Sequence, residues 1–298
     1  MFVHGARRRP PPGRVAYVDG RYVRHGEAMV HVEDRGLQFA DSVYEVITVS
    51  RGRLRDVAPH LARLERSLGE IGMRMPIRPS SLTAVLTETA RRNRLKEGFV
   101  YLQVTRGAAS RDHAVPPCIA PTLIVTAKHS DMQAVEARRA SGIAVVTTRD
   151  TRWARCDIKS TGLLPNVMAK TDARKKGAFE AWFVDAKGFV TEGSSTNAWI
   201  VASDGTPITR SLSDNILPGV TRGVLIRTMA AAGLGVTERA FSVGEALSAR
   251  EAFISSATGG VMPVVRIDGK AVAGGAPGPV AKRMHGLYRE LSLKDSNA

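Results

Sequence analysis

The sequence predicts a mixed α/β protein built from two domains. The chain has 298 residues, which exceeds a typical single domain of about 100–200 residues. Its first half combines short strands and tight turns with two helices, whereas its second half alternates strands and helices over longer distances. With 43% apolar residues, the chain can bury a sizeable core.

Short strands dominate the first half and begin as an antiparallel meander. Turns at Asp19-Gly20 and Arg51-Gly52 separate the first strands, since such pairs close hairpins. Apolar residues then recur at helical spacing at 61–71 and 82–90, which predicts two helices. The predicted strands lie at 15–18, 21–23, 43–49, 53–57, 99–107 and 121–127.

Longer helices separate the strands of the second half. Pro218 opens one of these helices, and Gly177 and Gly233 end two of them. Strands are predicted at 143–148, 197–202 and 251–257, with a hairpin at 181–193, and helices at 163–176, 219–233, 243–249 and up to about 293. We therefore divide the chain into a basic arm (1–14), a small α+β domain (15–132), a linker (133–137) and a larger α/β barrel-like domain (138–298).

A surplus of basic residues is the strongest feature of the composition. The 43 Lys and Arg residues exceed the 28 Asp and Glu residues by 15, so nucleic acid, acidic membranes and anionic substrates are all candidate partners. RNA-recognition, zinc-finger and basic-zipper patterns are absent and only 5% of residues are aromatic, so we expect no nucleic-acid partner. The longest apolar runs fall short of the roughly 18 residues that span a bilayer, so we expect no membrane partner.

The cysteines and the first residues bear on location. Cys118 and Cys156 lie far apart without a CxxC pair, so we expect neither a disulfide framework nor a metal site, and a reducing cytoplasmic location. The segment 1–14, MFVHGARRRPPPGR, lacks the apolar run of a secretory signal. We expect it to be a mobile basic arm.

Lys159 stands between a predicted strand and a predicted helix, in the segment RCDIKSTGLLPN. Most lysines are solvated surface residues, and that interpretation is open here. Apolar residues flank this lysine, however, and a desolvated lysine becomes a nucleophilic amine that can form a Schiff base. The local sequence alone leaves both interpretations open.

Three further segments could bind an anion. EGSSTN (192–197) is either a turn whose hydroxyls bond the backbone or an anion cradle beside a carboxylate. LPGVTR (217–222) opens a helix, whose first N–H groups favour phosphate. Arg111 and His113 lie in a basic loop that is solvated, contacts nucleic acid or clamps a carboxylate. Pyridoxal phosphate, with a phosphate and a protonatable nitrogen, is one ligand that would suit the anion cradle and carboxylate of EGSSTN.

Eight segments in register resemble the class IV, fold type IV pyridoxal-phosphate aminotransferases, and among them the D-amino-acid aminotransferases. The resemblance extends from about Tyr17 to Leu291. Its segments are YVDGRYV (17–23), DRGLQFADSVYEV (34–46), HLARL (60–64), VTRGAASRDH (104–113), DIKSTGLLPNVMAK (157–170), EGSSTNAWIV (192–201), ILPGVTR (216–222) and EAFISSAT (251–258). The resemblance implies a two-domain fold whose larger domain binds the cofactor.

The resemblance also implies a role for each matching residue. Lys159 resembles the catalytic lysine that holds the cofactor through a Schiff base and moves a proton. Glu192 resembles the carboxylate that pairs with the pyridine nitrogen and keeps the ring an electron sink. Arg63 is similar to the phosphate-binding arginine, the start of the 219–233 helix and the 257–258 segment complete the phosphate site, and Leu217 packs on the ring. The cofactor-binding residues so implied are Lys159, Glu192, Arg63, Leu217, Val220, Thr221, Ala257 and Thr258.

The substrate end carries one departure from the D-amino-acid enzymes. Arg111 and His113 resemble the pair that binds the substrate carboxylate in those enzymes. Leu37, however, stands where they usually have a tyrosine whose hydroxyl helps to hold that carboxylate. Leucine cannot donate a hydrogen bond, so we expect the carboxylate to depend on Arg111 and His113.

The resemblance therefore implies a ping-pong transaminase that moves an amino group from a D-amino acid, such as D-alanine or D-glutamate, to 2-oxoglutarate or pyruvate. Within the family, the alternatives are a branched-chain L-amino-acid transaminase, an (R)-amine transaminase and a 4-amino-4-deoxychorismate lyase. Outside it, the rival interpretations are a nucleic-acid-binding module, which only the net charge of +15 suggests, and a catalytically dead scaffold. The resemblance also implies a homodimer with amino-acid and 2-oxo-acid substrates, in which the active site lies between the domains near the subunit boundary.

Overall fold

The computed structural model describes residues 13–294, with side chains up to Glu290. Most of the expected basic arm, residues 1–12, lies outside the described residues. Two compact units divide the chain, and the boundary falls between Ser130 and Asp131. The 133–137 segment, expected to be a linker, is helical, because the Asp131 carboxylate accepts the Ala134 N–H at 3.0 Å and starts a helix there.

The first unit is a six-stranded antiparallel sheet with two long helices. The strand order is β2-β1-β6-β5-β3-β4. A short 3₁₀ helix (His25–Glu27) follows the first hairpin. The elements in chain order are β1 (Val15–Val18), β2 (Arg21–Arg24), α1 (Arg35–Phe39), β3 (Ser42–Ser50), β4 (Arg53–Leu54), α2 (Val57–Glu70), α3 (Pro79–Arg92), β5 (Gly98–Thr105) and β6 (Thr122–His129).

Buried and more exposed side chains alternate along the central strands of this sheet, so one face of the sheet packs on the core. β3 runs antiparallel to β5 from the Ser42↔Thr105 pair to the Val49↔Gly98 pair. Val43, Ile47 and Val49 of β3 are fully buried while the outward-facing residues of the strand are more exposed, as expected for a strand with one covered face. Buried leucines of α2 and α3 complete the core, at Leu61, Leu64, Leu68, Leu82 and Leu86.

The second unit is a nine-stranded curled sheet of mixed direction with helices around it. Its path runs β12-β11-β10-β13-β14-β7-β8-β9, and β15 pairs with β14 beside that path. The elements are α4 (Met132–Ser141), β7 (Ile143–Arg149), α5 (Leu164–Lys175), β8 (Glu180–Val184), β9 (Val190–Gly193), β10 (Asn197–Val201), β11 (Pro207–Thr209), α6 (Val220–Ala231), β12 (Thr237–Glu238), α7 (Val243–Ser248), β13 (Glu251–Ser256), β14 (Gly260–Ile267), β15 (Lys270–Ala271) and α8 (Pro279–Lys294).

Large aromatic side chains fill the two faces of this sheet. Trp182 packs edge-on against Phe241 in one core cluster, with ring centroids 6.2 Å apart. Trp199 stacks on Phe253 in the other cluster, at 5.4 Å. Near the centre of the sheet, β7 lies between β8 and β14 and pairs in parallel with both. Because both faces are covered, strands β8 and β10 are buried along nearly their whole length rather than alternating.

The predicted mixed α/β architecture in two parts is confirmed, although the helices α1 and α4 and the strands β11, β12, β14 and β15 were not predicted. α1 was not predicted because five residues are too few to show a helical period. α4 was not predicted because none of its residues is buried, so its sequence carries no apolar stripe. Within residues 13–294, no helix is long and apolar enough to cross a membrane.

Candidate active site

Glu192 on β9 is the centre of a polar cluster in the second unit. Its side chain is buried, and Oε2 accepts hydrogen bonds from the Leu217 backbone N–H and from Asn197 Nδ2, both at 3.1 Å. Asn197 Nδ2 also donates to the Leu217 carbonyl at 3.0 Å. The carboxylate is therefore fixed between the start of β10 and the loop that precedes α6.

Gly219 allows this loop to lie so close to Asn197. A Cβ atom at position 219 would stand 2.0 Å from Asn197 Oδ1, which is a severe overlap. Gly219 is also the N-cap of α6 and has no side chain, so it supplies no cap to the first-turn N–H groups. Val220 and Thr221, whose N–H groups the family resemblance assigns to phosphate binding, form that buried first turn.

Arg152 is the charged partner of Glu192. Its Nη1 donates to Glu192 Oε1, while Nε and Nη2 donate to the two oxygens of Asp150 at 2.9 and 2.7 Å. The guanidinium carbon lies 4.4 Å from the Phe183 ring centroid, and the Arg152 side chain is only 6% exposed. One arginine thus serves two carboxylates.

Burial decides the protonation of Glu192. Desolvation raises the pKa of this carboxyl to about 7, against the opposing effects of Arg152, the Leu217 N–H and the positive charge of Lys159. The effect of Lys159 indicates that its ammonium lies within electrostatic range of the carboxylate. Lys159 is itself partly buried.

The segment around Lys159 is anchored by the residues that precede the lysine. Asp157 and Ile158 are buried, and the Asp157 N–H donates to the Asp214 carbonyl at 3.2 Å. Burial raises the pKa of the neighbouring Cys156 thiol to about 11, so this thiol is neutral at pH 7. Lys159, rather than Cys156, is therefore the candidate nucleophile of the segment.

The EGSSTN hydroxyls have a different role from either predicted one. Ser194, Ser195 and Thr196 donate to the carboxylate of Glu180, at 2.9 Å for Ser195 and 3.4 Å for Thr196. Lys170 Nζ lies 3.1 Å from the same carboxylate. The fully buried Glu180 thus receives the hydrogen bonds that an anion cradle or a backbone-bonded turn would have used. These hydroxyls hold the turn that follows Glu192.

Two further expected cofactor residues occupy a hairpin turn of the same unit. Ala257 is partly buried and Thr258 is exposed, and both lie between β13 and β14. Leu217, expected to pack on the cofactor ring, is partly buried and contributes its backbone N–H and carbonyl to the Glu192 cluster. The phosphate and ring-packing roles of these residues stay predictions.

Arg63 on α2 lies in a second buried cluster, in the first unit. Its Nε and Nη2 donate to the two oxygens of Glu45 at 2.8 and 2.7 Å, a bidentate ion pair. His60 Nδ1 lies 2.7 Å from Glu45 Oε2. Glu45 is fully buried, yet Arg63 and His60 outweigh the cost of burial and hold the pKa of its carboxyl at about 2.

The expected carboxylate-binding residues meet around Phe39 in the same unit. The Arg111 guanidinium carbon lies 4.8 Å from the Phe39 ring centroid, and the centroid of the His113 ring lies 5.3 Å from it. Arg111 Nη1 is 3.5 Å from Gln38 Oε1. The Leu37 side chain is 69% exposed. Arg111 and His113 thus both contact Phe39. Their role as a carboxylate clamp stays a prediction.

Several site residues were not predicted from the sequence. Arg152 and Asp150 had only their two-residue spacing as a signal, and Asn197 was grouped with the hydroxyls of its motif. Glu45 precedes Arg63 by 18 residues, and only the packing of α2 on β3 brings them together.

Fold and site together define an α/β enzyme whose candidate nucleophile is a lysine near a buried carboxylate. A family model for amino-transferase class IV matches residues 42–267. The D-alanine aminotransferase of Bacillus licheniformis is 41% identical over 93% of this chain and 97% of that protein. The D-alanine aminotransferase of Listeria innocua is 37% identical over 92% and 94%. This chain belongs to the class IV amino-transferases.

Solved structures show the same fold. The branched-chain aminotransferase of Thermoproteus uzoniensis, crystallised with norvaline, is 27% identical and covers 94% of this chain and 95% of its own, with a TM-score of 0.85. Another branched-chain enzyme, 26% identical with the same TM-score, was crystallised with pyridoxamine 5′-phosphate. The sequence relatives and these structural neighbours therefore belong to two different substrate types of one fold.

Proposed function

We propose that the protein transfers the amino group of a D-amino acid, such as D-alanine or D-glutamate, to 2-oxoglutarate or pyruvate, in ping-pong order with pyridoxal 5′-phosphate. The observation that carries this proposal is a buried carboxylate, Glu192, within electrostatic range of Lys159, in a chain 41% identical to a D-alanine aminotransferase. The pair formed by Arg111 and His113 around Phe39 supports an amino-acid substrate with a free carboxylate.

The residues of the second unit fit this cofactor. Glu192 is buried and its own partners leave its pKa near 7, so a cationic N–H group placed beside it would gain a strong hydrogen bond. The first turn of α6, behind Gly219, offers N–H groups to a phosphate. A lysine amine, a carboxylate for a ring nitrogen and an anion-binding helix start are the three features that the cofactor requires.

Each residue performs one task in the proposed reaction. When bound, pyridoxal phosphate supplies an aldehyde to which amines bind and a ring that accepts the electron pair released at the substrate Cα. Lys159 Nζ would hold the cofactor and, when free, would take up and give back the proton of the substrate Cα. Glu192 keeps the ring nitrogen protonated, and Arg152 and Asn197 hold Glu192 in place.

The clamp residues of the first unit orient the substrate. Arg111 has two parallel N–H donors for a carboxylate, and His113 lies on the same aromatic ring. Over one cycle the amino donor would become a 2-oxo acid, with the uptake of one water, and the acceptor 2-oxo acid would become an amino acid, with the release of one water. Within the second unit we assign the phosphate to Val220, Thr221, Ala257 and Thr258. The phosphate contact of Arg63, which lies in the first unit, stays a prediction from the family resemblance.

A branched-chain L-amino-acid transaminase is the second candidate. The Thermoproteus uzoniensis structure favours it, since that branched-chain enzyme has the same fold at 27% identity. Leu37 favours it as well, because it adds an apolar side chain where the D-amino-acid enzymes have a hydroxyl. The two candidates differ in the enantiomer that they accept, which a direct measurement decides.

The test combines a substrate panel with removal of the lysine. We expect D-alanine, and not L-leucine, to bleach the absorbance of the lysine-linked cofactor in the wild-type protein. Lys159→Ala should abolish multiple-turnover transamination, because no other amine replaces Nζ. Lys187→Ala, at an exposed residue of the 185–189 turn, is the matched control and should keep full activity. Bleaching by L-leucine alone would overturn the D-amino-acid assignment, and sustained turnover by Lys159→Ala would overturn the role of the lysine.

A second copy of this chain is the partner that we propose. Leu164, Val167 and Met168 form an exposed apolar face on α5, at 70, 56 and 61% exposure. Three large apolar side chains on one helix face are typical of a protein interface. Light scattering should give a mass of twice 32.1 kDa, and a monomer would contradict the proposal. A cytoplasmic location stays a prediction, which the free thiols of Cys118 and Cys156 support.

A further inference from the structure

We propose that Arg35 is a positioning residue that holds the loop carrying Arg111 and His113, and so sets the affinity for the substrate carboxylate. The inference rests on the proposed function, because it concerns the clamp assigned there to Arg111 and His113. Arg35 itself is buried beneath that loop and acts through it.

The Arg35 guanidinium binds the backbone of three consecutive loop residues. Nη1 donates to the Asp112 carbonyl at 2.6 Å and to the Ala114 carbonyl at 3.3 Å, and Nη2 donates to the His113 carbonyl at 3.1 Å. Residues 111–114 are all exposed, whereas the Arg35 side chain is only 4% exposed. The loop is therefore held by its backbone while its side chains stay available.

An ion-pair network fixes the orientation of the guanidinium. Arg35 Nε donates to Asp41 Oδ2 at 2.9 Å, and Arg106 Nε donates to the same oxygen at 2.7 Å. Arg106 Nη2 in turn donates to the Ile71 carbonyl at 2.6 Å, which ties the network to the end of α2. The two arginines hold the pKa of the Asp41 carboxyl below its usual value, against the effect of burial, so Asp41 is ionised at neutral pH.

The backbone of Arg35 is fixed as well. Its N–H donates to the Gly107 carbonyl at 2.9 Å, and the Asp34 carboxylate caps α1 by accepting the Gly36 N–H at 2.8 Å. The other Asp34 oxygen accepts the Thr105 hydroxyl at 2.8 Å. α1 is thus joined to the end of β5, from which the loop departs.

Phe39 connects the buried arginine with the clamp. The Arg35 guanidinium carbon lies 4.9 Å from the Phe39 ring centroid, and Arg111 and His113 contact the same ring. A shift of the loop backbone would move both clamp residues on this ring together. Because Leu37 offers no hydroxyl, such a shift would not be compensated by a third donor.

Arginine is required at this position for a geometric reason. Its planar guanidinium presents five N–H groups in a rigid fork, which here reach Asp41 on one edge and three carbonyls on the other. A lysine would keep the charge but offers a single ammonium, which cannot reach the same acceptors. Arg35→Lys therefore removes the positioning and keeps the charge.

The experiment compares Arg35→Lys with the matched control Arg24→Lys, at an arginine that is 84% exposed. Arg35→Lys should raise the KM for D-alanine about tenfold with kcat changed less than twofold, because misplaced groups weaken binding of the carboxylate. The kcat/KM for an amine that lacks a carboxylate, (R)-1-phenylethylamine, and the cofactor absorbance should match the wild type. Arg24→Lys should change none of these.

Two readouts separate positioning from a general loss of structure. Combining Arg35→Lys with Arg111→Ala should largely cancel the effect of Arg35→Lys on KM, because the loop then carries no arginine to position. Trypsin cleavage after Arg111, which needs no activity, should be faster in Arg35→Lys than in wild type. If Arg35→Lys does not fold, Asp41→Asn provides the same comparison, since it keeps the guanidinium and removes the charged acceptor that orients it.

The outcomes separate the two proposals. Wild-type inactivity on D-alanine would overturn the proposed function and this inference with it. Wild-type activity with an unchanged KM in Arg35→Lys would overturn the inference alone. An equal fall of kcat/KM for D-alanine and for (R)-1-phenylethylamine in Arg35→Lys would also overturn the inference. A positioning role for the clamp affects only the substrate that has a carboxylate.

Discussion

Glu192 in the second unit and Glu45 in the first are both buried carboxylates with an arginine partner, yet their protonation differs. Burial raises the pKa of Glu192 to about 7, whereas Arg63 and His60 lower the pKa of Glu45 to about 2. The cost of desolvation acts on both, so the difference comes from the groups that face each carboxylate.

The number of charged donors explains the contrast. Arg63 gives two N–H groups to Glu45, one to each oxygen, and His60 adds a third contact. Arg152 gives Glu192 one N–H and gives Asp150 two. Glu45 is therefore compensated within the fold, while Glu192 retains capacity for another cation. The two clusters thus differ in how completely the protein itself neutralises its buried carboxylate, and the less neutralised Glu192 is the candidate for a bound cation.

The largest expected effect comes from removing the charge of Glu192. Glu192→Gln keeps the shape of the side chain but cannot hold a ring nitrogen in its protonated form. We expect kcat for D-alanine to fall on the order of 10²-fold, because the ring then accepts electrons poorly. Steady-state kinetics at pH 7 would measure this effect.

Cofactor content is the control for this variant. The absorbance of the lysine-linked cofactor should persist in Glu192→Gln, since Lys159 is unchanged. An unaltered kcat at full cofactor content would show that Glu192 is a structural carboxylate like Glu45.

The next effect is on stability and concerns Glu45. Glu45→Gln leaves the buried Arg63 without its counter-ion, so the free energy of unfolding at pH 7 should fall by about 3 kcal/mol. The depressed pKa makes the Glu45 contribution complete well above the ordinary carboxyl pKa of 4.5, and this contribution is lost as the pH falls towards 2. The difference between wild type and variant should shrink over that window in urea unfolding followed by circular dichroism. If the free energies of unfolding of wild type and Glu45→Gln differed by the same amount from pH 7 to pH 2, the assigned role of the ionised Glu45 would be contradicted.

The smallest effect is expected at Glu88, which serves as the matched control for Glu45. Arg91 and Arg92 also lower the pKa of this carboxyl to about 2, but these residues lie on the surface of α3, where the Arg91 side chain is 71% exposed. Solvent screens such a pair. Glu88→Gln should leave the urea midpoint at pH 7 nearly unchanged, and a loss as large as that of Glu45→Gln would show that burial is not the deciding factor.

Local patterns predicted most of the fold. The helix at 61–71 was predicted from its apolar period, and the helix at 219–233 was predicted from the end signals Pro218 and Gly233. α4 lacked such a pattern because it buries none of its residues. Sequence patterns report burial, so an exposed element is difficult to see.

The residues of the candidate site also fall into two groups, those that short sequence motifs indicated and those that only the structure showed. Lys159 and Glu192 stand in sequence segments that each resemble a family motif, and the positive charge of Lys159 lowers the pKa of the buried Glu192 against the effect of burial. The importance of Arg152 depends on Glu192, 40 residues further along, and that of Arg35 depends on carbonyls 77 to 79 residues away. The residues next to Arg152 and Arg35 in the sequence do not distinguish these two arginines from the other basic residues of the chain.

The parallel pairing of β7 affects the order in which the chain can fold during synthesis. The sheet of the first unit is complete once β6 has been made, whereas β7 must wait for β14, which ends at Ile267. At roughly 5–20 residues per second, this interval lasts on the order of ten seconds. A newly made chain therefore already contains every strand of the first sheet while β7, the strand that leads to Lys159, still lacks its partner β14 on one edge.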